Sequence, residues 1–301
     1  MMLRALARDL SRIPGVEGVV ARDPAIVLGD VAGDARTVDP TDLWAAWGKL
    51  VADCDAVWPI APETGGILEE VTALALRHGR PVLNSRREAL AVARSKHATA
   101  AHLGRAGVAA AATARAGAPP PASAHGWVAK PDDGAGAVET HLLSDRAALA
   151  RWQTSHRHAP FVVQAFVPGP ALSLSAVMQD GRCWLLSCNV QHVACAGGVF
   201  AYRGSRVAGA EARRPDLEPL AAGVARALPG LWGHVGIDVV DGPAGPVVIE
   251  INPRLTTSYV GLAESIGLNP AALVLALREQ ALEALIRPLA PRPVDVVVPR
   301  V

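Results

Sequence analysis

Charge along this chain is balanced, and the balance removes a class of partner at the outset. Lys and Arg number 29 against 28 Asp and Glu, a formal net charge of +1 over 301 residues. The basic residues are scattered, so neither nucleic acid nor an anionic membrane is expected as a partner. Long hydrophobic runs are missing too. No apolar stretch approaches the ~20 residues needed to span a bilayer. The N-terminal segment carries Arg4, Arg8 and Asp9 inside its apolar pattern, which is not the pattern of a secretory signal. Cysteine is sparse: Cys54, Cys183, Cys188 and Cys195 form no C-x-x-C and bring no histidine at zinc-finger spacing. Reduced thiols in a cytoplasmic protein are the expectation. No repeat of fixed period is evident. Apolar residues, by contrast, make up 50% of the chain, enough for a large core in two or three lobes.

The most informative stretch is Val247-Val248-Ile249-Glu250-Ile251-Asn252-Pro253-Arg254. Val and Ile favour a strand, and Pro253 stops it. Residues two apart on a strand share a face, so Glu250 and Asn252 project together from its end. A carboxylate and an amide oxygen so placed suit a hard cation such as Mg²⁺. Upstream, 233–240 is a second β-rich run with one carboxylate, Asp238. Asp241-Gly242 and Gly245 predict a hairpin turn between the two runs. Folding there brings Asp238 towards Glu250, with Arg254 close by. The bland alternative is an edge hairpin with solvated carboxylates. It is disfavoured because both acids sit inside apolar runs, where unpaired charge is expensive.

Residues 1 to about 92 alternate strand and helix as a parallel α/β sheet does. Strands are expected at 25–28, 56–61 and 81–84, with helices at 42–51, capped by Thr41 or Asp42, and at 69–78. Ligands of such sheets sit at the carboxyl ends of strands. Glu63 occupies one such end, where it could meet a substrate amine or, equally, serve as a helix N-terminal charge. A helix in two pieces over 85–103 puts Lys96 near a helix start. The Ala-, Gly- and Pro-rich segment 104–124 reads as a linker between lobes, though Ala-rich pieces such as Val108 to Thr113 could pair as a strand. Over 126–137 a strand delivers Lys130 and opens into a loop holding Gly134 and Gly136. Glycines let backbone N–H groups approach phosphate oxygens, and a lysine adds a point charge; P-loop spacing is absent. A strand over 160–167 leads into an antiparallel meander at 172–178 and 183–188. Residues 194–210, with Arg203 and Arg206, read as a loop. Helices follow at 215–228, from 256 to about 266 and from 271 to about 286. His192 and His234 are candidate acid–base groups or, more simply, core histidines.

The order Lys96, Lys130 with its glycine loop, Gln164-Ala165-Phe166-Val167-Pro168-Gly169, Asp238, then Glu250-Ile251-Asn252-Pro253-Arg254 resembles the ATP-grasp carboxylate–amine ligases over about residues 85–285. The sheet before it is similar to that family's N-terminal lobe. Within the family, Pro62-Glu63-Thr64 and the compact length most resemble the tyramine–glutamate ligase branch of methanofuran biosynthesis and its bacterial relatives. The resemblance implies an α/β protein of ATP-grasp fold. Its parts would be a parallel α/β pre-ATP-grasp domain at 1–92, a small lobe at 93–168 and a large lobe with the metal site at 169–301, the two lobes clamping ATP. It implies Lys96 and Lys130 on the ATP phosphates, with Gly134 and Gly136 in the loop over them. Gln164, Ala165, Phe166 and Val167 would line the adenine hinge, and Asp238, Glu250 and Asn252 would hold two Mg²⁺, or Mn²⁺. Arg254 would stabilise the transferring phosphoryl group or the acyl phosphate. Apart from the resemblance, Arg203 or Arg206 could hold a substrate carboxylate bidentately or, as loop arginines usually are, be solvated. The implied reaction joins a small-molecule acid, glutamate or another amino acid, to an amine through an acyl phosphate, releasing ADP and phosphate. A dimer is the commonest symmetric assembly for such a chain. Besides a short glycine loop, two departures stand out. Ala165 sits where the family often has an acidic hinge residue, and Pro170-Ala171 where it commonly has a ribose-binding acid. The second keeps open a nucleotide-binding regulatory or partner subunit without ligase activity.

Overall fold

A computed structural model describes residues 1–25, 29, 31–156, 158–286 and 289–299. The N-terminal region holds α1 (Met2–Leu10), β1 (Val19–Arg22), β2 (Asp34–Thr37), α2 (Leu43–Ala52) and α3 (Ile67–Arg77). Strands β1 and β2 pair in parallel. Asp42 caps α2, its side chain accepting from the Ala45 N–H. The strand expected over 25–28 lies, from Ile26 on, outside the described residues. The strands expected at 56–61 and 81–84 shrink to a single parallel bridge, Val57 with Val82. Pro59, Pro62 and Pro81 flank that bridge and have no N–H to extend a ladder.

Helices α4 (Arg87–Arg94) and α5 (Lys96–Arg105) follow, then β3 (Thr113–Arg115), β4 (Trp127–Pro131), β5 (His141–Leu143), α6 (Arg146–His156) and β6 (Phe161–Ala165). The rest is β7 (Ala171–Gln179), β8 (Arg182–Ala196), β9 (Val199–Val207), α7 (Arg214–Ala227), β10 (Gly233–Gly242), β11 (Gly245–Asn252), α8 (Tyr259–Ile266), α9 (Pro270–Arg278), α10 (Leu282–Leu285) and β12 (Val294–Val297). One large sheet runs β11-β10-β7-β8-β9-β5-β4-β6-β3, with β12 added on β9. The lead-in to β3 hydrogen-bonds β11, Ala111 N to Val248 O at 2.9 Å and Val248 N to Ala109 O at 3.0 Å, so the two ends of the strand order meet. The loop expected over 194–210 is instead mostly the β8–β9 hairpin. Its turn is Gly197-Gly198, at φ +58° and +78°, the two positive values a type I′ turn requires.

Strand β7 is buried on both faces, and the two faces differ. Leu172, Leu174, Ala176 and Met178 join one core with Ala93 of α4, Leu103 of α5 and Leu217 and Val224 of α7. On the other face Val177 joins a second core with Leu6 of α1, Leu262 of α8 and Leu273 and Leu277 of α9. Fully burying such side chains stabilises by about 1.5–3 kcal/mol each. Ser173 and Ser175, on that second face, form instead the floor beside the site. Asn189 Nδ2 donates to both hydroxyls, at 3.3 and 3.1 Å. Among the described residues no single helix is long and apolar enough to cross a membrane.

Candidate active site

The β10–β11 hairpin sets Asp238 directly opposite Glu250 and Asn252 opposite Gly236. Simple alternation would put Val248, Glu250 and Asn252 on one face. A bulge between Asp238 and Val239 makes Val239 pair with Val248, and Ile249 is the extra residue. Val248 and Ile251 therefore enter the core, while Ile249, Glu250 and Asn252 all face the cleft. Asp238 is held on two sides. Gln191 of β8 donates to Oδ1 at 2.9 Å, and Asn252 Nδ2 donates to Oδ2 at 3.3 Å.

Two lysines converge on this pair. Ser95 caps α5, its hydroxyl accepting from the Ala98 N–H at 3.0 Å. Asp132 accepts from the Ser95 hydroxyl at 2.7 Å and from the His97 N–H at 3.0 Å, so the end of β4 is tied to the start of α5. That tie places Lys96 Nζ 2.6 Å from the Gly134 carbonyl and 3.3 Å from Glu250 Oε2. Lys130 comes from β4 and is also buried. Burial pushes its ammonium down to about 8, with Glu250 opposing and Lys96 adding to the fall. Burial pushes Glu250 up, but Lys96 and Lys130 together outweigh it and hold the carboxyl at about 2. Asp238, buried and facing ionised Glu250, is pushed well above the usual carboxylate range. The two facing carboxylates thus raise each other's cost of ionisation, and Asp238 bears most of that cost. A divalent cation between them would relieve that repulsion. Among the described residues no group of three His, Cys, Asp and Glu side chains is placed to hold a metal. A cation here would rest on two carboxylates and the Asn252 amide and would need water or phosphate oxygens as well. Mg²⁺ is commonly bound that way, so the residues fit it.

Arg254 lies just past β11. Its Nη2 donates to Asn252 Oδ1 at 3.3 Å and to Glu63 Oε2 at 2.8 Å, and its Nε donates to the same Glu63 oxygen at 3.0 Å. The neutral His234 ring donates from Nδ1 to the Arg254 carbonyl at 3.1 Å. Burial lowers its imidazole to about 4. His234 is a core histidine, packed edge-on to Tyr259 at 5.3 Å, while His192 is exposed.

These groups meet in one cleft of about 520 Å³. Gly134, Gly136 and Gln164–Val167 line it, as do Lys96, Lys130, Asp238, Glu250, Asn252 and Arg254. Gln164 is buried and donates to Thr113 Oγ1 at 2.9 Å. The Ala165 and Phe166 N–H groups are already bonded, to Ala112 O at 2.8 Å and Gly126 O at 3.0 Å. A ligand edge placed at this hinge would have carbonyl groups and the Val167 N–H to meet. Two expectations fail. Arg203 and Arg206 are exposed and neither lines the cleft. They sit on β9, not in a loop, and a second bulge between His192 and Val193 leaves Tyr202 at the cleft wall and Arg203 outside it. Glu63 pairs with Arg254 and does not itself line the cleft. Gln191 escaped sequence reasoning, since a glutamine in a strand carries no signal. A signal for the lysines was present in the composition. The chain has three lysines, Lys49, Lys96 and Lys130, and two of them meet here.

A family model described as an ATP-grasp domain matches residues 93–258, and one described as a pre ATP-grasp 3 domain matches residues 16–90. The chain belongs to the ATP-grasp family. Among ATP-grasp relatives, tyramine–L-glutamate ligase of Methanocaldococcus jannaschii is 31% identical over 118 residues, 39% of this chain and 35% of that protein. The match therefore spans about a third of that relative's length. The solved L-amino acid ligase from Bacillus licheniformis shares the fold, with a TM-score of 0.75 and 20% identity over 95% of this chain and 75% of that one. Biotin carboxylase from Campylobacter jejuni, solved as a β-γ-ATP complex, does so at a TM-score of 0.71 and 16% identity, over 92% and 68%.

Proposed function

We propose that this ATP-grasp protein is an ATP-dependent ligase that joins a carboxylate to an amine through an acyl phosphate, releasing ADP and phosphate. The observation that carries the reading is the convergence of Lys96, Lys130, Asp238, Glu250, Asn252 and Arg254 on one cleft from four separate elements and a loop. Phosphoryl transfer asks little covalent help of a protein; alignment and charge stabilisation do most of it. Lys96 and Lys130 bind the phosphates, and the loop holding Gly134 and Gly136 covers them. The hinge at Gln164, Ala165, Phe166 and Val167 receives the adenine. Asp238, Glu250 and Asn252 hold Mg²⁺, two ions in this reading, which when bound neutralises the phosphate oxygens. Arg254 donates to the oxygen that gains charge as the substrate carboxylate attacks the γ-phosphorus and as the amine then displaces phosphate. By analogy with the tyramine–glutamate and L-amino acid ligases, an amino acid is the acid and a small primary amine or second amino acid is the acceptor. The lobes follow the chain: 1–92, 93–168 and 169–301.

The test is ADP release from Mg-ATP with a panel of acids and amines that includes L-glutamate, other amino acids, tyramine and tyrosine. ADP that appears only when acid and amine are both present, with the matching amide mass, supports the ligase. Tight Mg-ATP binding with no ADP from any pair overturns it in favour of a nucleotide-binding subunit. A thioester or phosphoester product would change the acceptor.

A further inference from the structure

One buried carboxylate near the site has no role in the scheme above. Glu63, in the turn before α3, is 7% exposed. Its Oε2 takes two hydrogen bonds from Arg254, and its Oε1 is buried without a partner. Pro62 and Arg254 line the cleft; Glu63 does not. A guanidinium has five N–H donors in a fixed planar fork. In Arg254 the Nε–H and one Nη2–H go to Glu63, one Nη1–H goes to Leu255 O at 3.1 Å, and the second Nη2–H leans on Asn252 Oδ1 at 3.3 Å. Glu63 thus holds one side of the fork. One Nη1–H is left unbonded, and the Nη2–H on Asn252 Oδ1, in the longest of the four bonds at 3.3 Å, is the second donor that an oxygen in the cleft could take over.

We propose that Glu63 is a positioning residue that acts through Arg254: it fixes the plane of the guanidinium so that the remaining N–H groups face the oxygen that gains charge, and it does not touch substrate. The proposal rests on the ligase reading for the role of Arg254. An arginine free to sample its rotamers offers its donors in the right place only part of the time. Two charge-assisted bonds to one buried oxygen remove that freedom. The contact joins residues 191 positions apart, so the N-terminal region completes a site whose other charged groups all come from beyond residue 95.

The experiment uses the full chain with Glu63→Gln, which keeps size and loses charge, and Glu63→Asp, which keeps charge and is one methylene short. Arginine Nε–H resonances are read by ¹⁵N NMR, with that of Arg254 assigned by its absence in Arg254→Lys. A slowly exchanging Arg254 Nε–H in the parent, lost in both variants, is the expected result, and it needs no substrate. In ADP-release kinetics with the parent's own acid–amine pair, kcat falls about 10–100-fold in both variants, the range for losing a hydrogen bond to a charged group. The KM values for acid, amine and ATP stay within about threefold, since ground-state binding is untouched. Three results overturn the proposal. One is a rise in KM for a single substrate with kcat held, which would make Glu63 a direct contact. Another is an Arg254 Nε–H unchanged by either substitution. The third is a loss of thermal stability with kcat intact. If no pair releases ADP from the parent, the ligase reading falls on its own, and the NMR result decides separately whether Glu63 holds Arg254.

Discussion

Lowering the pH should destabilise this protein through one buried imidazole. His234 sits on β10, 2% exposed, with its neutral ring donating to the Arg254 carbonyl at 3.1 Å and its Nε2 buried without a partner. Burial lowers its pKa from 6.5 to about 4. The unfolded chain therefore binds a proton below pH 6.5 that the folded chain refuses until pH 4. Stability is intact above pH 6.5 and is lost as the pH falls towards 4. Between those two pKa values, each step of one pH costs about 1.4 kcal/mol, so the loss from this group is about 1.4 kcal/mol at pH 5.5 and about 3 kcal/mol at pH 4. Other groups titrate in the same range, and His234→Phe removes only this one. The phenyl ring keeps the contact with Tyr259 and gives up a hydrogen bond, a pH-independent cost of about 1 kcal/mol. Urea unfolding of both proteins at pH 7, 5.5 and 4 gives the difference in stability at each pH. That difference should shift by about 3 kcal/mol against the parent between pH 7 and pH 4. A difference constant to within about 0.5 kcal/mol over that range would refute the reasoning, because His234 would then titrate alike in the folded and unfolded chain.

Three other substitutions separate the parts of the cleft. Glu250→Gln leaves Lys96 and Lys130 buried without their shared counter-charge and removes a cation ligand, so Mg²⁺-dependent ADP release should fall below detection; activity near that of the parent would remove Glu250 from the metal site. Lys130→Ala should weaken Mg-ATP binding by about tenfold or more in calorimetry, the scale of one charge-assisted contact, and an unchanged Kd would remove it from the phosphates. Arg203→Ala and Arg206→Ala lie outside the cleft wall and should leave kcat and KM within about twofold, whereas a tenfold rise in the KM of an acid substrate would restore the carboxylate grip expected of them.

Much of the site could be read from local pattern because its parts are local. A run of Val and Ile ending in Glu250 and Asn252, a turn at Asp241-Gly242 and a lone Asp238 in the partner run are enough to place the two carboxylates across a hairpin, and Asp238 does face Glu250. The cap at Ser95 and the strand before Lys130 are likewise set within a few residues, by a side-chain oxygen meeting a free N–H and by β-favouring neighbours. The Gly197-Gly198 pair was read as part of a loop, and the hairpin it turns belongs to the long pairing of β8 with β9.

What local pattern could not supply were contacts and phases set by partners distant in the chain. Period-two alternation predicts one face for Val248 and Glu250, but the bulge at Ile249 answers to the register of β10 and sends them to opposite faces. A second bulge, set by the pairing of β8 with β9, turns Arg203 out of the cleft and leaves Tyr202 in it. The Gln191–Asp238 and Glu63–Arg254 contacts span 47 and 191 residues. The sequence by itself determined which ionisable side chains are present and that the runs carrying Asp238 and Glu250 become the strands of one hairpin. Only the tertiary structure decided which of those charges face one another, because register and docking follow from the burial of whole faces against distant partners, and no window of neighbouring residues contains that energy.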